Sequence, residues 1–152
     1  MTTQETINKD LVESMKSRDS VKVSVLRGIK SNFKNKEIEL GHSLSTEESL
    51  SVLLTLMKQR RDSIEQFHRG NRKDLVLQEE AELEILKNYV PKPVKPQEIE
   101  DVVSKVINDL RTNSLKDFGK IMKAVMLEFS GRNIDGEIVS LTVKKRLTDL
   151  TI

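Results

Sequence analysis

A chain of 152 residues with 33% charged and 3% aromatic side chains holds one domain or two small ones, and its core must be aliphatic. The absence of cysteine excludes disulfides, thiol nucleophiles and thiolate metal sites. Residues 1–90 carry 15 basic and 15 acidic side chains and residues 91–152 carry 11 and 9, which excludes the strongly basic balance of a dedicated nucleic-acid binder. No apolar run reaches the length of a membrane span, and Met1–Glu5 shows neither the basic nor the apolar part of a signal peptide. The expectation from these features is a soluble protein in the cytoplasm.

The spacing of apolar residues predicts helices throughout. Ile7, Leu11 and Met15 stack at i, i+4, i+8 in a first helix from about Thr3 to Arg18. A second follows Asp19-Ser20, with Val21, Val25, Ile29 and Phe33 in register, and Gly41-His42 breaks it. Ser45-Thr46-Glu47-Glu48 reads as a capping box opening a long third helix. Leu50, Leu53, Met57, Ile64 and Phe67 form its stripe, and Gly70 is placed to end it in a left-handed conformation. Val76, Leu83, Leu86 and Val90 belong to a fourth helix.

All three prolines fall within Pro91-Lys92-Pro93-Val94-Lys95-Pro96. Proline ends helices and biases its predecessor to extended geometry, so 91–96 is expected to be a semi-rigid linker between an N-terminal subdomain, 1–90, and a C-terminal one, 97–152. Beyond it, Ile99, Val103, Val106 and Leu110 predict a fifth helix. Ser114 is placed to cap a sixth, with Phe118, Ile121, Met122, Val125 and Phe129 inward. Gly131, Asp135 and Gly136 delimit a structural turn, and Val139, Val143, Leu147 and Leu150 predict a last helix. No segment alternates with period two, so the fold class is all-α: about four helices, then about three.

Catalytic signatures are missing. The two histidines, His42 and His68, have no partner at ligand spacing, so neither a metal nor a cofactor is expected. Glu47-Glu48 and the run Glu79, Glu80, Glu82, Glu84 read as solvated helix faces. There is no phosphate-binding glycine loop, nucleophile elbow or dinucleotide fingerprint. Basic residues are the better lead. Lys116, Lys120 and Lys123 recur at i, i+4, i+7, Arg132 sits in the turn, and Lys144, Lys145 and Arg146 lie on the last helix. If the last two helices pack as a hairpin, these cations share one surface for an anionic partner. Lys58, Arg60 and Arg61 border the third helix's stripe and form a secondary candidate contact, with Arg60 or Arg61 either a snorkelling arginine or the member of an interdomain salt bridge or phosphate contact. Gly119 within the sixth helix costs about 1 kcal/mol relative to alanine, which points to close approach of a neighbouring helix or an RNA backbone.

These motifs resemble the GatB/YqeY family over essentially the full chain. The resemblance rests on Ser24-Val25-Leu26-Arg27, on Lys58 to Phe67, on Arg72-Lys73-Asp74-Leu75 and on Tyr89-Val90-Pro91. It continues through Lys116-Asp117-Phe118-Gly119-Lys120-Ile121-Met122, Gly131-Arg132, Asp135-Gly136 and Val139. It implies two helical subdomains, the second similar to the tail domain of the B subunit of the glutamine-dependent aspartyl/glutamyl-tRNA amidotransferase. In that enzyme the tail contacts tRNA, while the carbon–nitrogen ligase chemistry lies in domains this chain lacks. The implied function is a non-catalytic tRNA-binding or tRNA-associated protein, unable to catalyse amidation alone. Its alternative is a protein–protein adaptor for amidotransferase subunits or an aminoacyl-tRNA synthetase. The implied tRNA surface is Lys116, Lys120, Lys123, Arg132, Lys144 and Lys145. The chain departs from the family pattern at Phe118, where methionine is usual, at Lys123, where a second glycine is usual, and at Glu137, where a basic residue is usual.

Overall fold

Apolar residues three and four apart wind into seven α-helices and one 3₁₀ turn in the computed structural model, which describes residues 1–150. No β-strand occurs among these residues, so the all-α expectation holds. The chain divides into two compact units, Met1–Pro91 and Lys92 onward.

In the first unit α1 (Thr3–Ser17) and α2 (Ser20–Leu40) form a hairpin with a two-residue corner. Arg18 turns left-handed at φ 60° and Asp19 caps α2, its carboxylate accepting from the Lys22 N–H at 3.1 Å. Helix α3 (Thr46–Arg69) opens on the expected capping box. Ser45 Oγ accepts from the Glu48 N–H at 3.1 Å, and Glu48 Oε1 accepts from the Ser45 N–H at 2.9 Å. The Ser45 N–H donating to its carboxylate is the main cause that holds the Glu48 carboxyl below its ordinary value. The end of α3 departs from expectation. Gly70 keeps a right-handed φ of −83°, and Asn71, φ 56°, makes the reversal before α4 (Lys73–Lys87). Asparagine's short polar side chain tolerates the left-handed region better than most residues do.

The core of this unit is aliphatic and is built from Ile7, Leu26, Ile29, Phe33, Leu53 and Leu86, among others. Ile64, Phe67 and Val90 are only partly buried, and Val90 lies past the end of α4 at Lys87. Tyr89, just past α4, donates its hydroxyl to Asp10 Oδ2 of α1 at 2.6 Å. Burial, then this bond to a carboxylate, pushes the phenol well above its ordinary range.

The second unit packs α5 (Pro96–Leu110), α6 (Phe118–Glu128) and α7 (Gly136–Leu150) around Val103, Ile121, Val125, Phe129, Val139, Val143 and Leu147. Pro96 occupies the first turn of α5, where its missing N–H costs nothing. Val94 is buried in this unit's core, and its N–H donates to the Asn133 carbonyl at 3.0 Å. Ile107, 4% exposed, takes the inward place expected of Leu110, which is 40% exposed. Leu150, expected inward on α7, is also exposed, one turn past the buried Leu147.

Candidate nucleic-acid interface

The C-terminal unit positions most of the candidate cations, beginning with the start of α6. Ser114 caps a separate 3₁₀ turn, Leu115–Asp117, its Oγ accepting from the Lys116 N–H at 3.2 Å. Asp117 is engaged locally, accepting from the Thr112 hydroxyl at 2.5 Å. Lys116 therefore stands on the turn, and the i, i+4, i+7 spacing does not apply between it and α6. Gly119 is in the first turn of α6 rather than mid-helix, and a Cβ built there would meet nothing. Close packing within the protein does not account for this glycine.

On α6 itself Lys120 and Lys123 lie on the exposed outer side, opposite the fully buried Ile121 and Val125. Leu127, 65% exposed, follows Lys123 one turn on. From Phe118 to Leu127 the sequence holds no Asp or Glu. Among the described residues Lys116, Lys120 and Lys123 make no ion pair.

The remaining cations are not all brought to that surface. Lys144 leans toward α6, its ammonium 5.4 Å from the centroid of the Phe118 ring, within cation–π range. Phenylalanine at 118 thus gives Lys144 a fixed resting place. Successive residues on α7 are about 100° apart, so Lys145 and Arg146 turn away from Lys144. Both line a 310 Å³ hollow with Glu100, Asp101, Ser104 and Asp149, on the α5 side. Three carboxylates around two cations leave this hollow without a positive field. Arg132 donates to both oxygens of Glu98, at 3.1 and 3.2 Å, a bidentate pair that ties the turn to α5. Of the six residues, Lys120 and Lys123 share the outer side of α6, Lys116 stands on the turn before it, Lys144 lies beside Phe118, and Arg132 and Lys145 face acidic neighbours.

The turn residues have plain roles. Gly131 adopts φ 78°, which favours glycine. Asp135 caps α7, its carboxylate accepting from the Glu137 N–H at 2.9 Å. Gly136 begins the helix, and a Cβ added there would meet only Met126, at an ordinary 3.9 Å.

The secondary candidates divide similarly. Lys58 and Arg61 are exposed. Arg60 donates to Glu79 Oε2 at 3.0 Å and to Glu82 Oε2. This bridge joins α3 to α4 inside the first unit, so it is not an interdomain bridge. It also corrects the expectation for the acidic run. Glu80 and Glu84 are exposed, but the Glu79 and Glu82 side chains are only 20% and 13% exposed, facing Arg60 across the helix pair.

Sequence reasoning passed over the seam between α1 and α2. Two hollows run along it, one lined by Met15, Arg18, Ser24 and Arg27 among others, the other by Gln4, Asn8, Lys30, Lys34 and Glu37 among others. The signal was present: Ser20 to Lys36 holds five basic residues and no acidic one. Among the described residues there is no His/Asp/Glu cluster suited to a metal, and no helix is long and apolar enough to cross a membrane.

The profile of the Yqey-like protein family matches residues 4–147. The chain belongs to that family. It is 40% identical over 111 residues to altered inheritance of mitochondria protein 41, mitochondrial, of Lachancea thermotolerans, covering 71% of this chain and 59% of that protein. The protein of the same name from Vanderwaltozyma polyspora is 37% identical over 76% of this chain and 66% of its own length. That of Saccharomyces cerevisiae is 34% identical over 84% and 70%. The chain thus spans less than two thirds of the first two relatives. Their names overturn the cytoplasmic expectation and point to mitochondria instead. The lack of cysteine and of long apolar runs suits either compartment, so composition was never able to separate them.

Proposed function

We propose that this Yqey-like protein is a non-catalytic helical protein that associates with tRNA, with the outer face of α6 as its contact in the C-terminal unit. The observation that carries the proposal is the acid-free stretch Phe118–Leu127, with Lys116, Lys120 and Lys123 exposed and without ion pairs among the described residues. The resemblance of this unit to the amidotransferase tail domain supplies the ligand class. Ammonium groups on a smooth helix face contact phosphates, give salt-dependent affinity and read little sequence. Gly119 adds an unobstructed patch of helix backbone beside Lys120.

The test is binding of bulk tRNA to the intact protein across a salt series. The triple variant Lys116→Gln/Lys120→Gln/Lys123→Gln is expected to weaken binding and to flatten the slope of log K against log salt by about 2 to 3. Lys145→Gln is expected to change little, because its hollow is lined by carboxylates. Undiminished affinity in the triple variant would end the α6 assignment.

A second reading has its own observation. Leu127 and Leu141 are each 65% exposed, on α6 and α7. Exposed leucines are better suited to a protein partner than to phosphate. On this reading the chain is an adaptor for an amidotransferase subunit or an aminoacyl-tRNA synthetase. Leu127→Ser/Leu141→Ser would then abolish capture of that partner while leaving tRNA affinity intact.

A further inference from the structure

A second group of unpaired cations lies in the first unit, along the seam of the α1–α2 hairpin. Arg27, Lys30 and Lys34 recur at i, i+3, i+7 on the edge of α2 that borders α1. Arg18, the left-handed corner residue, lines the same hollow as Arg27. All four are exposed, and none is in an ion pair among the described residues. The single carboxylate lining the two hollows is Glu37, which accepts from Gln4 Nε2 at 3.0 Å. Asp19, at the corner, is engaged as the cap of α2.

We propose that this seam is a docking groove for the phosphodiester backbone of an RNA strand. The identity of the ligand rests on the tRNA reading above; the place rests on these residues alone. Three features favour a phosphate chain. Arg27 to Lys34 covers about 10 Å of helix, a row of cations long enough to follow a chain of phosphates rather than a single anion. Hydroxyl and amide donors, Ser20, Ser24 and Asn8, stand among the cations, and such groups commonly contact phosphate oxygens. The apolar floor residues Ile7 and Phe33 are already buried in the unit's own core, which leaves Met15, 50% exposed, as the one large apolar side chain exposed along the two hollows, little for an apolar protein interface.

The experiment compares the intact protein with two triple variants, Arg27→Gln/Lys30→Gln/Lys34→Gln and Lys116→Gln/Lys120→Gln/Lys123→Gln. The probes are tRNA, a fluorescent 20-nucleotide uridine strand and poly-glutamate, and circular dichroism verifies helicity. The groove variant is expected to lose on the order of tenfold in affinity for both RNAs at low salt, with a salt slope shallower by about 2. RNA affinity and slope unchanged in the groove variant, while the parent binds, overturns the groove and leaves the α6 proposal standing. Loss in the groove variant alone supports the groove and removes α6. A parent that binds neither RNA overturns both. Poly-glutamate bound as tightly as the uridine strand assigns the groove to acidic protein segments and overturns the RNA assignment.

Discussion

The two helical hairpins of the first unit handle charge in opposite ways. The α3–α4 hairpin ties up four of its seven cations: Arg60 with Glu79 and Glu82, Arg69 with Glu65, Arg72 with Asp74, Lys87 with Glu84. In the α1–α2 hairpin only Lys36 has such a pair among the described residues, with Glu39. The sequence totals differ modestly, eight basic against six acidic residues in 1–43 and seven against nine in 44–90. What separates the hairpins is placement. Glu79 and Glu82 are three apart on one helix and close on a single arginine of the other, whereas α2 runs from Ser20 to Lys36 without an acid. The neutral balance of residues 1–90 therefore conceals a net-positive hairpin with mostly unpaired cations and a net-negative one with mostly paired cations, and net charge alone is a poor guide to anion binding.

Four measurements sharpen or break this comparison, the first by showing where the hairpins are alike. Leu26→Ala and Leu53→Ala, both at sites no more than 1% exposed, are each expected to cost about 2–5 kcal/mol in urea denaturation. A large gap between them would mean that the hairpins differ in core as well as in charge. Arg60→Met comes next. It strands two half-buried carboxylates and is expected to cost about 1–2 kcal/mol, reduced from the fully buried case because Arg60 is 28% exposed. Arg27→Gln is expected to stay within about 0.5 kcal/mol, since it breaks no ion pair. Equal costs for the two arginines would erase the contrast.

Tyr89→Phe removes the hydrogen bond from α4's end to α1 and is expected to cost about 1 kcal/mol. Tyr89 is the only tyrosine, so its ionisation can be followed at a single absorbance band. Its folded pKa is raised, so its stabilising contribution is complete below the ordinary value of 10.0 and is lost as pH rises beyond it. The native titration midpoint should lie above that of the urea-unfolded chain, and coincident midpoints would contradict the burial of the phenol. The smallest effect concerns Glu48. Its folded pKa is lowered, so its contribution is present above the ordinary 4.5 and disappears as pH falls through the folded value. Glu48→Gln should therefore flatten the acid limb of the stability profile, measured as urea midpoint against pH.

What the sequence made legible was local. The capping box at Ser45, the break after α2 at Gly41 and the inward stripes of α5 to α7, apart from Leu110 and Leu150, depend on neighbours within a turn or two. What it hid required knowing which helices face each other. The Arg60 bridge spans 19 and 22 residues and the Tyr89–Asp10 bond spans 79. The candidate cations are spread over more than one face for a third reason. Lys144 and Lys145 are adjacent in sequence but about 100° apart on the helix, so one rests on Phe118 and the other joins an acid-lined hollow. At Ser114 a 3₁₀ turn intervened, shifting Lys116 off the helical register.

The passage from the first unit to the second has a consequence for handling the protein. Its two lysines, Lys92 and Lys95, each precede a proline. Trypsin requires a hydrolysable bond after lysine, and the Lys–Pro bond resists it. Val94 between them is fastened to the second unit's core. The two lysyl bonds nearest the boundary are therefore closed to trypsin, which leaves the exposed Lys87, at the end of α4, as the nearest place to part the units.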